Sequence, residues 1–382
     1  MKILYLIQRF LPYIGGAEKH LHQILQRLPS NYEPSVITFG PRSQKYQVSK
    51  IPVRSYRGFR IHWGSGFTTI SRGMIEDLLR MSPDIIHAHT YGFAHTDIAS
   101  FIGKMKNIPL VITTHYDRSQ TDEISKILLR ELYDNIIGRM TLSLGNKILA
   151  ATEYEKKFLA SKFSLDEAKI CIVPNGVEFY KFQNLPDPKS IISQYDLKNN
   201  RVALFVGRIE KKKGLQYLLQ AAPKVVSEFP NLKILIVGPD WGYQNELKKI
   251  AKKIKIENSI IFAGQLNEID LLKAYNLSEF SILPSLGEAT GLTILESMAA
   301  GRPIVASRLP TISEFVVHKK DGMLFEPGNP EKLANSIISL MSDEKLREKL
   351  IQNGKIISQQ RDWSKIVTMI ADIYQKISKN FR

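Results

Sequence analysis

Phe280-Ser281-Ile282-Leu283, then Pro284-Ser285-Leu286-Gly287-Glu288-Ala289-Thr290-Gly291-Leu292-Thr293-Ile294-Leu295-Glu296-Ser297-Met298-Ala299-Ala300-Gly301-Arg302-Pro303, reads as strand, loop and helix. The first four residues are a short apolar run closed by proline, the signature of a buried strand. Glycines punctuate the loop, and the helix is expected to open near Gly291. A second apolar run, Pro303–Ala306, follows at once. Strand, helix and strand in this order make one βα unit of a parallel sheet.

The same alternation extends in both directions. Upstream, strands are expected at Val202–Val206, Lys233–Val237 and Ile260–Ala263. In the first half they are expected at Ile3–Ile7, Ser35–Phe39, Asp84–His89, Leu110–Thr114 and Lys147–Ala151, with helical patterns at Ala17–Leu28 and Glu123–Leu144 between them. Residues 184–200 are polar and turn-rich (Asn184-Leu185-Pro186-Asp187-Pro188, then Lys198-Asn199-Asn200), as a linker should be. The expected organisation is therefore α/β with two doubly wound, Rossmann-like units, residues 1–190 and 200–360. A last helix within 361–382 is expected to return to the first. Ligands of such sheets bind beyond the carboxyl ends of the strands, which here predicts a central cleft faced by both.

A chain of 382 residues, 43% hydrophobic and 24% charged, has the length and balance for two ordinary globular cores. Its net charge of +16 favours an anionic partner. Nucleic acid is not expected, because zinc-finger spacing, RNA-binding aromatic signatures and a reading helix are all missing. The single cysteine, Cys171, lies in the apolar run Ile170-Cys171-Ile172-Val173 and reads as a buried strand thiol. A reducing, cytoplasmic setting fits it. Met1–Ile7 reads as a first strand and not a secretion signal, since Gln8 and Arg9 interrupt it. No apolar stretch approaches bilayer-spanning length, so any membrane association is expected to be peripheral.

Two segments carry chemistry. Phe205-Val206-Gly207-Arg208-Ile209-Glu210-Lys211-Lys212-Lys213-Gly214 runs from a strand through a glycine turn and a basic loop into a helix. Gly207 suits a sharp turn. Arg208 offers a planar fork of donors and Lys213 a compact charge, a pair suited to a diphosphate. Alone, such a loop is more often a solvated surface. In the opening stretch, free amides of Gly291, Leu292 and Thr293 at a helix start can hold phosphate. Glu288 precedes that helix and Glu296 lies about five residues inside it, about 7–8 Å deeper. Two carboxylates so spaced can accept from hydroxyls at opposite ends of one elongated ligand. The blander assignment makes Glu288 a cap and Glu296 a surface residue.

Glycine-arginine-basic loop-Lys213-Gly214, then Glu288 and Glu296 ahead of Ala299-Ala300-Gly301-Arg302-Pro303-Ile304-Val305-Ala306, resembles the glycosyltransferase family four group, which has the GT-B fold. The first half resembles it too, in Pro12-Tyr13-Ile14-Gly15-Gly16-Ala17-Glu18, His87-Ala88-His89, Thr113-Thr114-His115 and Val173-Pro174-Asn175-Gly176-Val177. The resemblance implies a retaining transferase moving a hexose-type sugar from a nucleotide-diphosphate sugar. By it, Arg208 and Lys213 would hold the diphosphate, Glu296 the ribose and Glu288 the transferred sugar. Gly15 and Gly16 would let the first loop approach the reacting centre, and His115 would sit near the sugar, unless it merely caps a strand end. Many members carry Glu-Pro-Phe-Gly where this chain has Glu288-Ala289-Thr290-Gly291, which loosens the inference about the sugar.

No Asp-x-Asp pair occurs, and His87, His89 and His95 lack a ligand-like context, so no metal and no other cofactor is expected. The acceptor is expected to be a glycan or a lipid-linked sugar. The stretch Lys126–Met140 mixes apolar and basic residues at helical spacing and fits either an anionic membrane surface or an ordinary core helix. A nucleotide-sugar epimerase and a non-catalytic sugar-nucleotide sensor are the alternatives.

Overall fold

The computed structural model describes residues 1–13, 15–63, 66–115, 124–288 and 291–381. Ile14, Glu123, Ala289 and Thr290 of the segments quoted above lie outside them. The chain divides into two compact units, Met1–Asn175 with Trp363–Arg382, and Gly176–Asp362. The division thus falls at Asn175/Gly176, not within residues 184–200. That polar stretch carries a helix, Lys189–Gln194, and its Ile191 and Leu197 are sealed into the second unit's core.

The first unit contains β1 (Lys2–Leu6), β2 (Glu33–Phe39), β3 (Gln44–Val48), β4 (Ile51–Tyr56), β5 (Phe59–Trp63), β6 (Gly66–Ile70), β7 (Ile85–His89), β8 (Leu110–Thr113), β9 (Lys147–Ala150) and β10 (Ile170–Ile172). Eight of them form one sheet in the order β10-β9-β8-β7-β1-β2-β4-β3, and β5 and β6 form a separate hairpin. Neighbours in the sheet run parallel except β3 with β4. Strand β1 shows why helices cover both faces. Ile3 and Tyr5 point to one side, against Ile366, Ile370 and Tyr374 of helix Trp363–Asn380, while Leu4 and Leu6 point to the other, against Ile86, Ala88 and Ile112. A strand apolar at every position satisfies its period-two geometry only when both faces are buried. Each such side chain contributes about 1.5–3 kcal/mol. Cys171, in β10, is a free thiol but only half-buried, because its edge strand is covered less completely than expected.

The second unit contains β11 (Arg201–Val206), β12 (Leu232–Val237), β13 (Ile260–Gly264), β14 (Phe280–Leu283), β15 (Ile304–Ser307) and β16 (Met323–Phe325). Its sheet has the order β13-β12-β11-β14-β15-β16 and is parallel throughout. The chain builds outward from β11 to one edge, returns to β14 beside it, and builds to the other edge. That is the doubly wound Rossmann order.

Candidate active site

The direction of winding reverses between β11 and β14, and ligands of open α/β sheets bind at the carboxyl ends of the strands at such a point. Gly207 to Lys213 leave β11, and Pro284 to Glu288 leave β14. Residues 211–213 form a 3-10 turn closed by Gly214 in the left-handed conformation (φ 70°), after which helix Leu215–Glu228 begins. A Cβ on Gly214 would lie 1.9 Å from the Pro284 carbonyl oxygen, so only glycine lets the two loops meet there. Leu286 N–H donates to the Lys212 carbonyl at 2.9 Å and ties the loops together.

This contact brings Lys213 to Glu288. Lys213 Nζ stands 2.5 Å from Glu288 Oε1, which also accepts from Ser285 Oγ at 2.7 Å. The two side chains are only 14% and 11% exposed, so each charge depends on the other for compensation. Thr311 Oγ1 donates to the Glu288 carbonyl at 2.8 Å and fixes the loop from behind. Gly291, with φ 57°, precedes helix Leu292–Ala299, whose first turn includes Leu292 and Thr293. Glu296 is half-buried within that helix and already has a protein partner: Tyr275 Oη–H donates to Glu296 Oε2 at 2.9 Å. Burial, then the adjacent Glu296 charge, holds the Tyr275 phenol well above its ordinary pKa, so it remains a donor.

Arg208 is arranged differently from Lys213. Its guanidinium pairs with Glu210 at 2.9 Å and stacks 4.4 Å from the Trp241 ring centroid, with 42% of the side chain exposed. Stacking on a ring and a single ion pair leave donors of the fork turned outward. Gly207 departs from its expected role. It is not in the left-handed region, and a Cβ there would meet the Phe205 ring at 3.1 Å. The turn's unusual backbone belongs to Gly238 after β12 (φ 145°), where a Cβ would come within 1.9 Å of the Gly207 carbonyl oxygen.

In the first unit Gly15 caps helix Gly16–Arg27 in an extended conformation, and Gly16 has open space around it. His115 follows β8 with φ 43°, left-handed backbone that a residue with a Cβ adopts at a cost. Its ring meets those of His20 and His89, with centroids at 4.8 and 5.5 Å. Burial holds His115 down at about pKa 4, and His20 and His89 well below the ordinary value, so all three are neutral imidazoles. The sequence grouping of His87, His89 and His95 is only partly matched. His87 bonds to Tyr374 Oη (2.5 Å) and Thr113 Oγ1 (2.7 Å), and His95 to the His89 carbonyl (2.8 Å).

The chain is similar to known proteins over nearly its whole length. Residues 14–179 match the model of Glycosyltransferase Family 4, and residues 187–356 match that of Glycosyl transferases group 1. The chain belongs to the family-four glycosyltransferases. Among relatives, a phosphatidyl-myo-inositol mannosyltransferase of Mycolicibacterium smegmatis is 28% identical over 95% of this chain and 91% of its own. A Methanocaldococcus jannaschii protein named only as a glycosyltransferase is 25% identical over 99% of both. Among solved structures, Anabaena HepE in complex with UDP and glucose superposes with a TM-score of 0.79 at 22% identity, covering 98% of this chain and 100% of its own. The lipopolysaccharide glycosyltransferase WaaG superposes at 0.71 and 14% identity, over 97% and 99%. The fold is GT-B.

For this family-four chain, then, Lys213 and Glu288 are brought into contact, and Gly207, Arg208, Gly291, Leu292, Thr293 and Glu296 come from the same strand ends and the helix behind them. Gly15, Gly16 and His115 stand in the first unit. Sequence reasoning missed Tyr275, Ser285, Trp241 and Thr311. Ser285 lay inside the quoted stretch and could have been read as a partner for Glu288 three residues on. The others approach from elements remote in sequence.

Proposed function

We propose that this protein is a retaining, metal-independent hexosyltransferase that uses a nucleotide-diphosphate sugar. The observation that carries the reading is the buried Lys213–Glu288 pair, held by Ser285 at the reversal point of the sheet. Pyrophosphate offers Lys213 a new anionic partner, and a sugar hydroxyl offers Glu288 a new donor. Both charges are satisfied before and after binding, with the ion pair exchanged for two ligand contacts. Arg208 adds its outward-facing donors, and the amides of Gly291, Leu292 and Thr293 add the positive end of a helix. Glu296, oriented by Tyr275, accepts from the ribose.

In transfer the bond between the anomeric carbon and the phosphate oxygen breaks. The acceptor oxygen bonds to the same face, and its proton passes to the departing phosphate. Lys213 and Arg208 stabilise the charge that develops there. His115, Gly15 and Gly16 are assigned to the sugar side of the reaction on the family resemblance. The test is nucleotide release from a panel of UDP-, GDP- and ADP-sugars, with EDTA present and with lipid extract as acceptor source. One donor should turn over, and Lys213→Ala should reduce kcat by about 10²-fold or more. Unchanged turnover in that variant would refute the assignment.

The proposed acceptor is lipid-linked or a cell-envelope glycan precursor, met at the cytoplasmic face of a membrane. A named relative acts on a phosphatidylinositol, and the helical segment 124–144 leaves Leu128, Leu132 and Ile136 at 65%, 58% and 62% exposure. Phe101 and Met105, on helix Ala94–Met105 packed beside it, are exposed at 61% and 60%. The same segment 124–144 supplies Tyr133 and Leu142 to the first unit's core, so its exposed apolar side chains form a second, outward face. No described helix is long and apolar enough to cross a membrane. Sedimentation with anionic but not neutral liposomes, lost in Leu128→Glu/Ile136→Glu, is the expected result; absence of sedimentation with either refutes the membrane reading.

A further inference from the structure

Three segments far apart in the chain deliver His20, His89 and His115 to one point in the first unit. His20 comes from helix Gly16–Arg27, His89 from the end of β7, and His115 from just beyond β8. One ring nitrogen from each lies within 4.8 Å of the others, and among the described residues no other group of this kind is found. His20 and His89 are 4% and 0% exposed. Yet Nδ1 of His20 has no hydrogen-bond partner. Buried ring nitrogens without partners are rare, because each has lost water without compensation. His89 Nδ1 and His115 Nε2 are 3.3 Å apart. That is long for a hydrogen bond, and close to the separation of about 3.3 Å between two nitrogens bound to one tetrahedral ion at 2.0–2.1 Å. The left-handed backbone at His115 turns its ring into this cluster instead of along the strand direction.

We propose that His20, His89 and His115 form a binding site for a borderline divalent transition ion, zinc above all, which takes the three imidazoles and keeps a fourth position for water. An all-nitrogen, uncharged ligand set selects zinc, cobalt, nickel or copper and disfavours magnesium, manganese and calcium, which require oxygen. The site is not a catalytic one. His115 is also assigned above to the sugar side of the reaction, and an ion bound to its nitrogen withdraws it from that role. Zinc therefore inhibits transfer, a consequence that rests on the proposed function, whereas the binding itself does not.

The test uses the full chain, stripped with chelator and titrated with zinc chloride by calorimetry and by competition with a chromophoric chelator. Cobalt chloride serves as a second, spectroscopic probe. One equivalent of zinc should bind, cobalt should give the intense visible bands of a tetrahedral site, and magnesium should give nothing. His20→Asn and His115→Asn should each weaken zinc at least tenfold, and His318→Asn, in the other unit, should leave it unchanged. A rise in the melting temperature of the unaltered protein with zinc provides a readout independent of whether the variants fold. Absence of stoichiometric zinc binding, octahedral cobalt spectra, or affinity unmoved in both cluster variants overturns the proposal. Zinc binding with no turnover of any donor sinks the proposed function and leaves the site standing. Turnover without zinc binding does the reverse.

Discussion

Gly214→Ala, compared with Gly264→Ala, separates the conformational cost of a left-handed residue from the contact that builds the site. The two glycines have φ of 70° and 68°. Both substitutions therefore carry the same backbone penalty, about 1–2 kcal/mol. Their surroundings differ. The new Cβ at 264 meets nothing within 4 Å, whereas at 214 it lies 1.9 Å from the Pro284 carbonyl oxygen and 2.8 Å from its carbon. Restoring an ordinary carbon–oxygen contact requires the loops to separate by about 1.4 Å. The loop that must retreat carries Ser285 and Glu288, and the one it retreats from carries Lys213. A misplacement of about 1 Å in a catalytic constellation costs about 10²-fold in rate. Gly264→Ala should keep kcat within about twofold and lose about 1–2 kcal/mol in urea denaturation. Gly214→Ala should lose more stability than that and about 10²-fold in nucleotide-release kcat. A folded Gly214→Ala protein with kcat equal to that of Gly264→Ala would refute the idea that this close approach aligns the site.

Tyr275→Phe removes the donor to Glu296, a hydrogen bond to a charged group worth about 1.5–3 kcal/mol. Donor KM should rise at least tenfold with kcat nearly constant, and an unchanged KM would show that Tyr275 does not orient Glu296. Acid should destabilise the first unit, because burial lowers the folded pKa of His87 to about 3 and that of His95 to about 4. With an unfolded value of about 6.5, the unfolded chain binds more protons below that pH. The stabilisation is thus complete above about 6.5 and is lost as pH falls toward the folded values. Between pH 7.5 and 5.5 each histidine should cost about 1.4 kcal/mol, and a urea midpoint that does not move over this interval would contradict their burial as neutral groups.

The central parallel strands were legible because burial on both faces writes an uninterrupted apolar run, as in Ile3–Ile7 or Phe280–Leu283. Strand β3 was not, since it is an edge strand whose Gln44, Lys45 and Gln47 are exposed and show no such run. The true boundary at Asn175/Gly176 was hidden for the opposite reason. Val173 and Val177 on either side are buried, so no change of composition marks it. In the candidate site, Arg208 and Lys213 in one βα connection, and Glu288 with Glu296 in the loop after β14 and its helix, could be grouped from residue type and spacing because each group is local in sequence. Tyr275 and Trp241 reach theirs from another strand's connection, a distance that no local pattern records. The histidines show the limit most sharply. His87, His89 and His95 are neighbours in sequence, but the parallel register sets His89 beside Thr113, which carries His115 past the strand end toward it.

The Lys213–Glu288 pair also explains why the site's charges can be buried at all. A lysine or glutamate alone at 14% or 11% exposure would lack both a counter-charge and full hydration. Paired, each is the other's counter-charge, and Ser285 fills a further position on the carboxylate. Arg208 is paired as well, with Glu210, but at 42% exposure it keeps water and the Trp241 face as further partners. The two cations therefore differ in how much they must relinquish to meet an anion. On the proposed function, Lys213 exchanges one buried partner for another, and the exchange frees Glu288 only when something else accepts the ammonium's hydrogens. A pyrophosphate accepts them with a full counter-charge, whereas a neutral sugar accepts them only through uncharged hydroxyl oxygens. On that proposed function, engagement of Glu288 with a sugar hydroxyl is favoured once phosphate is bound, so the pair selects the activated donor over the free sugar.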